Sequence, residues 1–237
     1  MNYDNYEVID SESTAIDSAR SFFANVYKYM FVALAVSGVT AYLGAASGWY
    51  LKVAFNLDGG LSAMGYVLMF APVAVVLFLQ FRINKISMGS AIFIYLLYSV
   101  LIGLSLSFIF YIYNLGSIGL TFLVTAGTFG AMALIGYTTK ADLSKMGSLL
   151  WMVFIGMFIA SIANLIIGSD TLSWIVSFLG LFVFTGLTAW EMQRLKVIAL
   201  SPVAGEERKK HELIGGLTLY ILFINLFLTI LRFIGDR

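Results

Sequence analysis

Cysteine is absent from the 237 residues, histidine occurs once and proline twice. The first absence excludes disulfides, thiolate metal sites and cysteine nucleophiles. The single histidine, His211, falls in a basic stretch between apolar runs. An intramembrane Ser–His protease would need a histidine at membrane depth, and a metalloprotease an H-E-x-x-H helix. A retinal-type Schiff base would need a lysine in the last apolar run, and 213–233 contains none. No glycine-rich phosphate loop precedes a basic residue in the usual pattern. Enzymatic activity, a cofactor, a resident metal and a nucleic-acid partner are therefore not expected.

Charge is scarce as well. Charged residues make up 11% of the chain against 60% hydrophobic, and the mean hydropathy is +0.93. A soluble domain carries about 25% charged residues, so this chain lacks the means to cover a water-facing surface. A helix needs about 20 apolar residues to cross a bilayer. Runs of that kind lie near 24–47, 62–81, 88–112, 118–138, 147–167, 173–193 and 213–233. They predict an all-α membrane protein of seven spans, one domain over 24–237, preceded by an acidic tail over 1–23. The tail sets Asp4, Glu7, Asp10, Glu12 and Asp17 against Arg20, with neither the basic start nor the apolar core of a secretory signal.

The basic residues set an orientation. Arg20 and Lys28, Arg82 and Lys85, Lys140 and Lys145, and the group Arg194, Lys196, Arg208, Lys209 and Lys210 all fall on one side of a seven-span chain. Only Lys52, Arg232 and Arg237 fall on the other. The N-terminus is expected in the cytoplasm and the C-terminus outside, in a bacterial plasma or inner membrane. Pro72, inside the second span, should kink it and free a backbone carbonyl. Gly127 with Ala131, and Gly156 with Ala160, have the spacing that lets helices approach closely in lipid.

Twelve of the 13 acidic residues lie in tails or connections; the exception is Glu191, near the end of the sixth span. A charge at the centre of a span costs about 2.5–3.5 kcal/mol on insertion scales, less near an end. Position alone supports a functional carboxylate and one that simply reaches the interface beside Arg194 equally well. Thr218, Leu222, Asn225 and Thr229 share one face of the seventh span. Such a stripe suits a central helix lining a water path, or plain interhelical hydrogen bonding, to which Asn164 in the fifth span also points.

Two segments carry a resemblance. FGAMALIGYTTKADLSKMGSL, from Phe129 to Leu149, resembles the mid-chain signature of the Bax inhibitor-1 (transmembrane Bax inhibitor motif) family, and LTLYILFINLFLTILRFIG its C-terminal signature. Asn164 and the run WEMQRLK fall in register. The resemblance implies a bacterial member with a seven-helix bundle and the last helix central. It also implies a pH-dependent calcium or cation leak, gated by two aspartates that share a proton. Here Glu191 and Leu222 stand at those two positions, so no proton-sharing pair is expected. A lone Glu191 would have Arg82 or Lys85 as candidate ion-pair partners, and Leu222 would act as a hydrophobic constriction. The two readings are a cation channel with an altered gate and a non-conducting regulator that binds other membrane proteins.

Overall fold

The computed structural model describes residues 3–56 and 58–236, with side chains described from Ile16 onward. In chain order the helices are α1 (Tyr3–Ala46), α2 (Trp49–Ala54), α3 (Ala63–Arg82), α4 (Met88–Leu106) and α5 (Ile109–Ile112). They continue with α6 (Leu115–Thr138), α7 (Ser144–Ile167), α8 (Asp170–Ala199) and α9 (Gly205–Ile234). A 3₁₀ turn, Ile83–Lys85, extends α3, and an isolated bridge joins Phe55 to Leu61. Among the described residues seven stretches are long and apolar enough to cross a membrane: Ile16–Ala46, Ala63–Lys85, Met88–Ile112, Leu115–Thr138, Ser144–Ile167, Asp170–Ala199 and Gly205–Ile234. Each expected span falls on one of them, so the chain is an all-α membrane protein.

The ends differ from the hydropathy boundaries at the sixth connection. There α8 continues to Ala199 and α9 begins at Gly205. His211 accordingly lies within α9 rather than in a loop, and Glu191 sits about two turns inside α8. Lys, Arg and Glu are good helix formers, so backbone hydrogen bonding runs past the point where apolarity stops. What ends α8 is Pro202, which disfavours helical backbone in the residue before it. At the other terminus α1 takes in the backbone of the acidic tail from Tyr3. The side chains of Asp4, Glu7, Asp10 and Glu12 lie outside the described residues, while Asp17 pairs with Arg20 at 3.5 Å.

Short polar side chains start the helices. Ser62, Ser87, Asn114 and Ser169 each accept from the backbone N–H three residues on, at 3.0, 3.3, 2.8 and 3.2 Å. These bonds satisfy orphan donors that lipid would leave bare. Pro72 shows the same requirement inside a span. It has no N–H to offer the Leu68 carbonyl four residues earlier, and the Ser105 hydroxyl of α4 lies 2.5 Å from that oxygen. The same hydroxyl is 2.9 Å from its own Leu101 carbonyl.

By internal packing the chain divides into two units: Met1–Tyr113 with Ser201–Tyr220, and Asn114–Leu200 with Ile221–Arg237. In the first, Gly103 of α4 lies so close to α1 that a Cβ would come within 2.6 Å of the Ser37 carbonyl. Gly216 of α9 meets α1 in the same way, 2.8 Å from the Val26 carbonyl. The Tyr95 hydroxyl donates to the Tyr29 carbonyl at 2.7 Å. In the second unit, α6 buries Ser117, Thr121, Thr125, Phe129, Ala133 and Gly136 along one stripe. Gly136 abuts the Ala189 backbone of α8, and Gly147 of α7 lies under the Trp190 indole. Phe223 of α9 packs between Phe122 and Phe129, ring centroids 5.4 and 5.5 Å away.

Gly127 and Gly156, the small residues expected at helix contacts, instead face open space. Their spacing permits close approach, but other glycines make the contacts. The α9 span is 67% buried within the protein, against 6–39% for the other six.

The Pro72 arrangement generates a prediction. Ser105→Ala strands the Leu68 carbonyl and should cost about 1–3 kcal/mol, read as a lower unfolding midpoint in detergent. Pro72→Ala restores the native donor, so Ser105→Ala in that background should cost much less. Equal costs in the two backgrounds would refute the pairing.

Candidate functional site

The C-terminal end of α8 is clasped to the loop between α6 and α7. Gln193 accepts from the Leu143 N–H at 2.9 Å and donates to the Ala141 carbonyl at 2.7 Å. Lys196 donates to the Tyr137 carbonyl at 2.8 Å and lies 5.0 Å from that tyrosine's ring centroid. Asp142 accepts from the Ser144 N–H at 2.9 Å. Hydrogen bonds from Ser144 hold this exposed carboxyl below its usual range. With Gly136 on Ala189 and Gly147 under Trp190, the mid-chain segment and the run WEMQRLK thus form one contact.

Glu191 lies in the middle of that clasp and is 1% exposed. One Arg194 guanidinium nitrogen, Nη1, stands 3.3 Å from Oε2 and 3.5 Å from Oε1. The arginine side chain is 49% exposed, so the pair joins a buried carboxylate to a cation that reaches outward. The partner seen for Glu191 is therefore one turn along its own helix. The candidate partners Arg82, at the end of α3, and Lys85, in the 3₁₀ turn, belong to the first unit.

The stripe on α9 is largely satisfied within its own helix. Thr218 donates to the Ile214 carbonyl at 3.0 Å, Asn225 to Ile221 at 2.8 Å and Thr229 to Asn225 at 2.7 Å. Leu222 is buried among them. Asn164 staples the α7–α8 connection. It donates to the Ser169 carbonyl and the Ser173 hydroxyl at 3.0 and 2.8 Å, and accepts from the Ser169 N–H at 2.9 Å.

At the opposite end of α8 from Glu191, two cavities open within the second unit. One of about 200 Å³ has Ser161, Ser177, Asn225, Thr229 and Arg232 as its polar wall, with Phe184 among its apolar lining. The other, about 450 Å³, is lined by Asn164, Asp170 and Ser173 and shares Ser161 and Arg232 with the first. Arg232 Nη1 donates to the Ser177 hydroxyl at 2.7 Å and the Ser173 carbonyl at 3.2 Å. These bonds, and Thr229 lying against Gly180, fix the antiparallel register of α8 and α9. Seven residues further along each helix, about two turns, that register sets buried Leu187 level with buried Leu222. Glu191 lies one turn beyond Leu187. The smaller cavity thus ends at Asn225 and Phe184, below an apolar pair with the carboxylate behind it.

A second buried carboxylate was not legible as such. Glu212, 4% exposed, accepts from Asn25 at 3.1 Å and pairs with Arg208 at 3.6 Å. Arg208 also donates to the Ser18 carbonyl at 2.6 Å and covers the Phe22 ring. A charged run next to an apolar one reads as loop, and only α9's early start puts Glu212 against α1. Among the described residues no three His, Asp or Glu side chains gather to hold a metal ion.

Seven apolar helices and a carboxylate buried in the sixth span define a polytopic integral membrane protein. The family described as inhibitor of apoptosis-promoting Bax1 matches residues 19–237, and the chain belongs to that Bax inhibitor-1 family. It is similar to the inner membrane protein YbhL of Escherichia coli, 41% identical over 220 residues and 92% of each chain. It is also similar to an uncharacterised protein of Borreliella burgdorferi, 39% identical over 97% of each chain. One of Rickettsia prowazekii is 36% identical over 93% of this chain and 92% of its own length.

Removing Arg194 leaves the Glu191 carboxylate buried and unpaired, a change that costs about 3–5 kcal/mol where a buried pair is broken. Arg194→Gln should destabilise the folded protein by an amount near the lower end of that range, because the arginine is half exposed. Glu191→Gln in the same background should recover most of the loss. Additive effects in a thermal double-mutant cycle would show that the two side chains do not interact.

Proposed function

We propose that this chain is a cation-leak channel, calcium among its candidate ions, in a bacterial inner or plasma membrane. Its N-terminus is cytoplasmic and its C-terminus outside, as the distribution of Lys and Arg favours. The helix α9 is its axis, consistent with the burial of that span. The observation that carries the reading is the cavity reaching Asn225 and Thr229, with buried Leu222 and Leu187 next along the two helices and Glu191 one turn behind. An apolar constriction at the end of a polar chamber blocks ions by excluding water and opens by wetting. Glu191 is the titrating, ion-attracting group on the far side, and Thr218, Asn225 and Thr229 supply the polar face of α9.

A non-conducting regulator, binding other membrane proteins through its helices, is the second reading. It is favoured by the α9 hydroxyl and amide groups that already donate to their own helix and by the leucine where the family has a second carboxylate.

Calcium and monovalent cation flux in proteoliposomes between roughly pH 5 and pH 8 separates the two. Glu191→Gln should reduce native flux about tenfold, the effect of roughly 1.4 kcal/mol on the barrier. Leu222→Asp should raise flux and make it steeply pH-dependent, because two carboxylates one turn apart cannot both ionise cheaply. A silent native chain that conducts only as Leu222→Asp would establish the regulator reading.

A further inference from the structure

The two cavities of the second unit meet at Arg232, which lines both and, among the described residues, is the only charged side chain in the lining of the smaller. Its guanidinium is anchored to α8 by Ser177 and the Ser173 carbonyl, 2.7 and 3.2 Å away, so the charge is held in place. Asp170 lies in the outer, larger cavity and offsets the arginine there. Among the described residues no carboxylate lines the inner one. Arg232 is itself exposed, and a unit charge held where the two cavities meet biases which ions enter a partly apolar chamber. The inner walls carry Ser161, Ser177, Asn225 and Thr229, enough polar groups to hold several waters in about 200 Å³.

We infer that these cavities form a water-filled vestibule, open on the side of the membrane that holds the α7–α8 connection, which favours small anions over cations while Arg232 stays anchored to α8. Arg232 sets that sign. The inference goes beyond the conduction reading and does not depend on it: a vestibule that ends at Asn225 and Phe184 exists whether or not the apolar pair beyond it ever wets. If the protein does conduct cations, Arg232 is a second barrier that has to swing aside.

The absence of cysteine makes a direct test available in the full-length chain. Ser161→Cys places a single thiol in the wall shared by both cavities, with little change of size. In proteoliposomes it should react with membrane-impermeant methanethiosulfonates added on the α7–α8 side. The anionic reagent should react about tenfold faster than the cationic one after normalisation to their rates with a free thiol. Arg232→Gln should abolish or invert that preference, and Arg232→Lys should retain it, which separates the charge from the fit of the side chain. Should Arg232→Gln fail to fold, the preference should still shrink as salt screens it, both with the native Arg232 and in the Arg232→Lys variant. A thiol that resists both reagents would overturn the vestibule. Equal rates for the two, or a preference that survives Arg232→Gln, would overturn the role of Arg232.

Discussion

The cost of holding a charge away from water governs this structure more than any other constraint. Glu191 is a carboxylate inside a membrane span, and a lone ion there would be expelled, neutralised or paired. The chain pairs it, with an arginine three residues on that keeps half its surface exposed. That arrangement requires α8 to continue as a helix past Glu191, since only helical spacing brings the two together. It also requires neighbours that exclude water from the carboxylate. The clasp made by Gly136, Gly147, Trp190 and Gln193 packs the α6–α7 loop around that segment of α8.

The same requirement recurs for uncharged groups. A carbonyl freed by Pro72 takes a hydroxyl from the next span, and Asn164 ties off the turn between α7 and α8 with three hydrogen bonds. Along α9 the threonines and Asn225 return their donors to the carbonyls one turn back. Helix α9 can therefore present a polar face to a cavity without leaving donors stranded where the cavity ends. Polar residues in these spans serve the backbone first, and only what remains, chiefly Arg232 and Glu191, carries an electrostatic field.

Much of this was readable from the residues, and the unreadable part has physical reasons. Span number followed from apolar length, and the family from two segments, the first of which is clasped by the run WEMQRLK of α8. The ends of α8 and α9 were not readable, because helix continues through Arg194, Lys196, Glu206 and Glu207 where hydropathy falls. Glu212 therefore looked like loop and is buried against α1. Pro72 implied a freed carbonyl, yet nothing in the sequence could single out Ser105 among the serines. The Gly127 and Gly156 pairs had the right spacing, but which glycine makes a contact depends on how a helix is rotated, and here they face outward. Arg194 stood beside Glu191 in the sequence, but the ion-pair partners expected were Arg82 and Lys85, and the pair forms with Arg194. The cavity around Arg232 was not, since three helices build it.

The pairing of Glu191 with Arg194 inside a real bilayer is the point on which these features converge. Solid-state NMR of the protein in lipid, with ¹⁵N in the Arg194 guanidinium and ¹³C in the Glu191 carboxyl, measures their dipolar coupling. A strong coupling, matching the 3.3 Å separation of Nη1 and Oε2, and lost in Glu191→Gln, is the expected result. No coupling, or a carboxyl coupled instead to a different basic side chain, would contradict it.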